Sequence, residues 1–388
     1  MFLPCSAPRG RFYARPMTIP SEPIGSIPRP PELLGALAAR ESGQLGDAAF
    51  ASVLDRAVRE TIETQASLGA TVVTDGEQRK PSFVTYPIAG SGNLSADGVV
   101  IPFADGHQRQ LPCLTSGPFR YQEHAEHYLR AARQVTNLPV KQAVIAPSAL
   151  SLLYPAAGID GYSRESFLDD LVDGAEADIR GCLDAGAHVV QLDFTEGRLS
   201  LKLDPSGQVL RDFVELNNRV LERFGEADRA RLGVHTCPGG DQDSTHSLDV
   251  DYAGLLPELF RHAVGNFYVQ LASESDPDRV LRVLADQLRP GVRVFVGVTD
   301  PIDPRVETAE EVRDRVLRAA RYLPVEQLGT SDDCGFSPFA DDQSTSRETA
   351  FAKMRARLEG TALAADQLGV GFPAARTGQD ARRTAAVD

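Results

Sequence analysis

The stretch "SFLDDLVDGAEADIRGCLDAGAHVVQLDF", residues 166–194, decides the architecture. Its first part spaces apolar residues at helical intervals and breaks at an Ala-Gly-Ala turn. A short apolar, β-branched run comes next and stops on an acid, Asp193. The same helix-to-strand step recurs along the chain. "DAAFASVLDRAVRETIETQASLG" precedes "ATVVTDGE", "FVELNNRVLERF" precedes "RLGVHTC", "YAGLLPELFRHA" precedes "NFYVQLAS", and "PDRVLRVLADQL" precedes "RVFVGVTD". "VRDRVLRAARYL" then leads into "EQLGTSDDCGF", and the helical run "TAFAKMRARLEGTALAADQL" lies beyond it.

Strands of continuous Val, Leu and Ile are buried on both faces, and amphipathic helices between them imply a parallel sheet with helical cover. The number of units predicts an α/β fold of the (β/α)8 TIM-barrel type. A doubly wound open sheet is the alternative, but no Gly-rich phosphate loop follows the first strand. Residues 88–118, "IAGSGNLSADGVVIPFADGHQRQLPCLTSGP", break the rhythm and read as an inserted β-hairpin or lid. The expected organisation is an unstructured leader over 1–20, one barrel over 21–370, and a flexible tail over 371–388. The leader carries Arg9, Arg11 and Arg15 without an acid, but it has neither the apolar run of a signal peptide nor a helical period.

Composition narrows the function. The 388 residues are 42% hydrophobic and 24% charged, ordinary for a globular protein. Fifty-four acids against 40 bases give a formal charge of -14, spread along the helices, which argues against a nucleic-acid partner. No apolar run approaches the ~18 residues of a membrane span. Cys5, Cys113, Cys182, Cys237 and Cys334 are few and far apart, the pattern of a reducing compartment and a cytoplasmic protein rather than of a disulfide framework.

Barrel strands end at the face that carries chemistry. The residues just past the apolar runs are Asp75 and Glu77, Asp193 and Glu196, His235 and Cys237, Glu274, Asp300, and Asp332, Asp333 and Cys334. Any single Asp there reads equally well as a helix cap. Thiols have no such use, and a His with two Cys from different strand ends is a zinc donor set.

These residues resemble the catalytic barrel of the cobalamin-independent methionine synthase family, over a stretch from Ile24 to about Leu368. The resemblance implies that the "IGS" loop, Ile24, Gly25 and Ser26, holds the carboxylate of homocysteine, and that Glu77 of "DGE" and Asp193 of "QLD" hold its amino group. It implies a zinc ion on His235 and Cys237 of the "H-x-C" turn and on Cys334 of "DCG". The family's fourth ligand is a Glu at the end of the next strand. Here Ala272 stands near that place, so Glu274 is expected to reach the metal through a bulge, with Asp333 or water as the alternative.

Three departures concern the methyl donor. The family's "YDIHSPR" segment carries an acid-catalytic His, and the matching "TDPIDPR" has Ile302 or Asp303 there. Phe194 replaces the acid after Asp193, and the chain has no Trp. The family's N-terminal barrel, which closes over folate, has no counterpart in this sequence. Candidate proton donors are therefore Asp300, Asp303, His107, His246 and Glu196, while Arg29, Arg79 and Lys80 are either anion contacts or surface charges.

The expected activity is zinc-dependent methyl transfer to a thiol; the expected partners are homocysteine or another small thiol and a methyl donor, either methyltetrahydrofolate or a methyl-corrinoid protein, and a homodimer is admitted. A second enzyme reading keeps the zinc thiolate but changes the electrophile, as in an epoxide:thiol transferase. The non-enzymatic reading is a degenerate paralogue, and a uroporphyrinogen decarboxylase-like barrel without the metal is a structural cousin.

Overall fold

The structure is a computed structural model that describes residues 17–373; most of the expected leader (1–16) and tail (374–388) lies outside the described residues. Helix Arg164–Asp184 starts where Ser163 Oγ accepts the amide N–H of Ser166, and it turns off at Gly186, whose φ of +82° suits glycine. Phe167, Leu171, Val172, Ala175, Ile179 and Cys182 form its buried face. Strand Val190–Asp193 comes after this turn, with every residue buried.

Six such strands form one parallel sheet. In spatial order they are Leu328–Ser331, Arg293–Gly297, Asn266–Val269, Leu232–Thr236, Val190–Asp193 and Gln142–Ile145. Both outer strands find further partners. Ser21 bridges to Thr330 and Val73 bridges to Val140, both in parallel sense. Those two segments meet each other through the Ile27 amide on Gly76 O at 3.0 Å and Thr74 Oγ1 on Gly25 O at 2.8 Å. The ring closes, so the fold is the (β/α)8 barrel, and the open doubly wound sheet fails because neither edge is left free.

Packing begins before residue 21. Ile19 is fully buried and its amide donates to Gly371 O at 3.1 Å, so residues 18–20 belong to the barrel's base. The inserted segment is a nested antiparallel hairpin: Leu94–Ser95 pairs with Cys113–Leu114, and Val100–Pro102 pairs with Gln108–Gln110. It folds over the C-terminal rim, with Phe103 and Leu111 buried beneath it. No helix among the described residues is long and apolar enough to cross a membrane.

Candidate metal centre and substrate pocket

His235 lies near the end of strand Leu232–Thr236, and Cys237 begins the turn after it. Gly239, two residues on, has φ +70°, and a Cβ there would come within 1.7 Å of the His246 ring, so only glycine fits. Its amide donates to Cys237 Sγ at 3.4 Å. Cys334 arrives from the loop after Leu328–Ser331, which the IGS loop seats: Phe336 N–H donates to Ser26 O at 3.0 Å and Ser337 N–H to Ser26 Oγ at 3.2 Å.

The three ligand atoms of His235, Cys237 and Cys334 lie within 4.8 Å of one another. His235 Nδ1 is 3.3 Å from Tyr268 O, which assigns the ring proton to Nδ1 and leaves Nε2 with a free lone pair. That Nε2 is buried without a hydrogen-bond partner. The two sulfurs are 2.8 Å apart, and both thiols are free. The hydrogen bond to Cys237 and then burial push the Cys334 thiol well above its ordinary range. Two buried sulfurs this close need a cation before both can ionise. An orphaned imidazole nitrogen beside paired thiols is the donor chemistry of zinc, so the residues fit that ion.

The cluster opens on a cavity of about 310 Å³ whose walls include Ile24, Gly25, Ser26, Glu77 and Asp193. Glu77 sits at φ +56°, a left-handed conformation that costs ~1–3 kcal/mol for a non-glycine residue. Asp75 Oδ1 holds the turn by accepting the Glu77 amide at 2.9 Å. The Glu77 carboxylate is thereby aimed inward, against Lys80 Nζ at 2.9 Å and within 3.4 Å of where a Gly25 Cβ would stand. Burial, then the Glu77 charge, raises Asp193 to about 6, and Gln191 Nε2 donates to its Oδ1 at 2.7 Å. An ammonium between the two carboxylates would relieve that repulsion.

The model of the "Cobalamin-independent synthase, Catalytic domain" family matches residues 19–357. The chain belongs to this family. Relatives of the synthase family include a 5-methyltetrahydropteroyltriglutamate–homocysteine methyltransferase of Nitratidesulfovibrio vulgaris, 26% identical over 88% of this chain. The chain spans only 42% of that protein's length, but 96% of a methionine synthase of Saccharolobus solfataricus, to which it is 21% identical. Among solved structures, a B12-independent methionine synthase from Shewanella sp. W3-18-1 superposes with a TM-score of 0.70 at 19% identity. That superposition covers 90% of this chain and 99% of the other, and it shares the fold.

Against this synthase pattern, Glu274 is the main correction. It stands apart from the His235, Cys237 and Cys334 group: its Oε1 is 2.8 Å from Arg198 Nη1. Asp333 is no substitute. Its two oxygens accept the amides of Leu271, Ala272 and Ser273 and the Ser273 hydroxyl, at 2.7–2.9 Å.

The proton-donor candidates also separate. Asp300 faces a smaller cavity with Ile302 and Ser273, and Asp303 sits at the surface 3.7 Å from Arg305. His107 belongs to the hairpin, where it bridges Asp105 at 2.6 Å and Asp241 at 3.1 Å. His246 lines the main cavity, but burial, then the Lys202 and Arg198 charges, hold it down to about 4, so its ring is the neutral imidazole at neutral pH and lacks the imidazolium proton.

Glu196 differs from all of these. It lines the main cavity, Ser148 Oγ donates to its Oε1, and its Oε2 is buried without a partner. Burial raises its pKa to about 8, so it holds a proton at neutral pH. Of the three basic candidates, Arg29 is spent on the carbonyls of Ser337, Glu77 and Lys80, Lys80 on Glu77, and Arg79 on Asp55.

Sequence reasoning passed over Arg109, whose guanidinium joins the hairpin to buried Asp241 at 2.5 Å and to Asp341 at 2.9 Å and lies 4.2 Å from the Phe339 ring centroid. It also passed over Ser148 and Arg198. Their side chains act through residues 48 or more positions away, and no local motif announces such a pairing.

Proposed function

We propose that this protein is a zinc-dependent S-methyltransferase that converts homocysteine to methionine. One observation carries the reading: His235, whose Nε2 is orphaned, and Cys334, paired with Cys237 behind it, share a cavity with the inward carboxylates of Glu77 and Asp193. The names of two relatives, of which this chain spans 42% and 96%, support the same class. The free thiols of the cluster suit the reducing cytoplasm.

His235, Cys237 and Cys334 would hold the zinc, which when bound keeps a thiol substrate in its nucleophilic thiolate form at neutral pH. Glu77 and Asp193 bind the amino group of homocysteine, and the Ser26 hydroxyl with the IGS backbone receives its carboxylate. That anchoring fixes the sulfur toward the donor. The new bond is sulfur to methyl carbon, and the bond that breaks is methyl carbon to the donor's leaving atom.

If the donor is methyltetrahydrofolate, the leaving atom is a nitrogen that must take a proton, and Glu196 holds one in the cavity. If the donor is a methyl-corrinoid, cobalt leaves with the electron pair and needs no proton. The hairpin, latched by Arg109, covers the cavity and limits water.

The test is methionine formation by the zinc-loaded protein, comparing methyltetrahydrofolate with methylcobalamin, on wild type and Glu196→Gln. Methionine from the folate donor, lost in Glu196→Gln, supports the reading with Glu196 as acid. Methionine from methylcobalamin alone, unaffected by Glu196→Gln, assigns the corrinoid. Zinc without methionine from either donor would move the reaction to another electrophile.

A further inference from the structure

We infer that the metal in this protein has three protein ligands, His235, Cys237 and Cys334, with the fourth corner left to solvent or substrate. The inference rests on the zinc reading above and departs from the family's expected Glu. Its basis is the strand end that should supply that Glu. Strand Asn266–Val269 is followed by Gln270, Leu271 and Ala272, and neither Leu271 nor Ala272 has a metal-binding side chain. Gln270 does have an oxygen, but Arg198 Nη1 occupies it at 3.0 Å, while its Nε2 donates to Ser273 Oγ at 2.8 Å.

A bulge bringing Glu274 inward would have to break two sets of contacts. Asp333 clamps the segment from below: its carboxylate takes three consecutive amides, of Leu271, Ala272 and Ser273, and the Ser273 hydroxyl. The carboxylate fits there only because residue 297 is glycine, since a Cβ at Gly297 would come within 1.8 Å of Asp333 Oδ1.

Arg198 holds Glu274 itself. That arginine is 1% exposed and is anchored by the carbonyls of Leu248 and Val250 at 2.6–3.1 Å. Moving Glu274 to the metal would strip a buried guanidinium of its carboxylate.

The charge of the centre depends on the ligand count. Two thiolates and a neutral imidazole contribute −2, so zinc on this set is neutral, whereas a fourth carboxylate would make it an anion. An open corner on a neutral centre admits an incoming thiolate without first displacing a protein ligand.

The experiment is zinc binding by competition with a chromophoric chelator, on wild type, Glu274→Gln and Cys334→Ser, with thermal melting by circular dichroism to report folding. Gln keeps the hydrogen bond to Arg198 but is a poor zinc ligand. The expected result is one zinc per chain in wild type and Glu274→Gln with affinities within about threefold, and loss in Cys334→Ser. A ten- to hundredfold weakening in folded Glu274→Gln would overturn the inference, since that is the usual effect of losing a group that supports a metal. No zinc on wild type would instead remove the zinc reading, and this inference with it.

X-ray absorption of the zinc-loaded wild type with homocysteine needs no variant to fold. Three sulfurs and one nitrogen around zinc are expected, and a retained oxygen scatterer beside them would count against the open corner.

Discussion

Two polar clusters stand at the strand ends of the same barrel rim. One holds His235, Cys237 and Cys334; the other holds Arg198, Glu274 and Asp333. Both are buried but for the half-buried Glu274, and both gather polar groups that sequence alone makes equal candidates for chemistry. They differ in what is left over. The first keeps a buried nitrogen with no partner and two thiols that meet only each other and a backbone amide. In the second, Asp333 spends both oxygens on four donors and Arg198 spends both terminal nitrogens on four acceptors. Buried polar groups are normally satisfied, so unspent capacity marks a place for a ligand and spent capacity marks structure.

The sharpest way to break this contrast is Cys334→Ala. The variant should lose zinc and all methionine formation while keeping its fold, as measured by metal analysis, turnover and circular dichroism. Retained zinc would show that the thiol corner is not the metal site.

Asp333→Ala should do the opposite. It leaves three amides and a hydroxyl without their acceptor, and at ~1–3 kcal/mol for each buried unsatisfied group the unfolding free energy should fall by roughly 3 kcal/mol or more. Urea denaturation measures this, and a loss below about 1 kcal/mol would mean the clamp is not structural.

Glu196 lies between the two kinds, with one oxygen spent and one free. Its pKa is about 8 folded against an ordinary 4.5. Between those values the folded chain holds a proton that the unfolded chain does not, so this group's effect is to lower stability as pH rises from 4.5 to 8. The slope is at most about 1.4 kcal/mol per pH unit. Glu196→Gln should flatten it in denaturation curves taken across that range, and an unchanged slope would mean that the carboxyl is already ionised. The smallest effect belongs to Asp303→Ala. That surface residue should leave stability within about 0.5 kcal/mol and turnover unchanged.

Much of this is legible in the order of residues. Alternating helices and doubly buried strands imply the barrel, and the break in rhythm at 88–118 marks the hairpin. His235, Cys237 and Cys334 stand out because thiols at strand ends have no capping role. The placement of Glu274 is instructive. Its distance along the chain from the expected position is only two residues, and sequence distance says nothing of direction. Arg198, 76 positions away, decides where that carboxylate points. The base of the barrel escapes notice too, because Ile19 shows as buried only once Gly371 is seen beside it.

Periodicity and residue type are local properties, and so the repeating units, the family and the identities of the three candidate metal ligands can all be read from the chain without its fold. Which carboxylates are free is a matter of long-range packing. Their partners come together across dozens of residues, and a buried charge turns toward whichever opposite charge the fold places nearest.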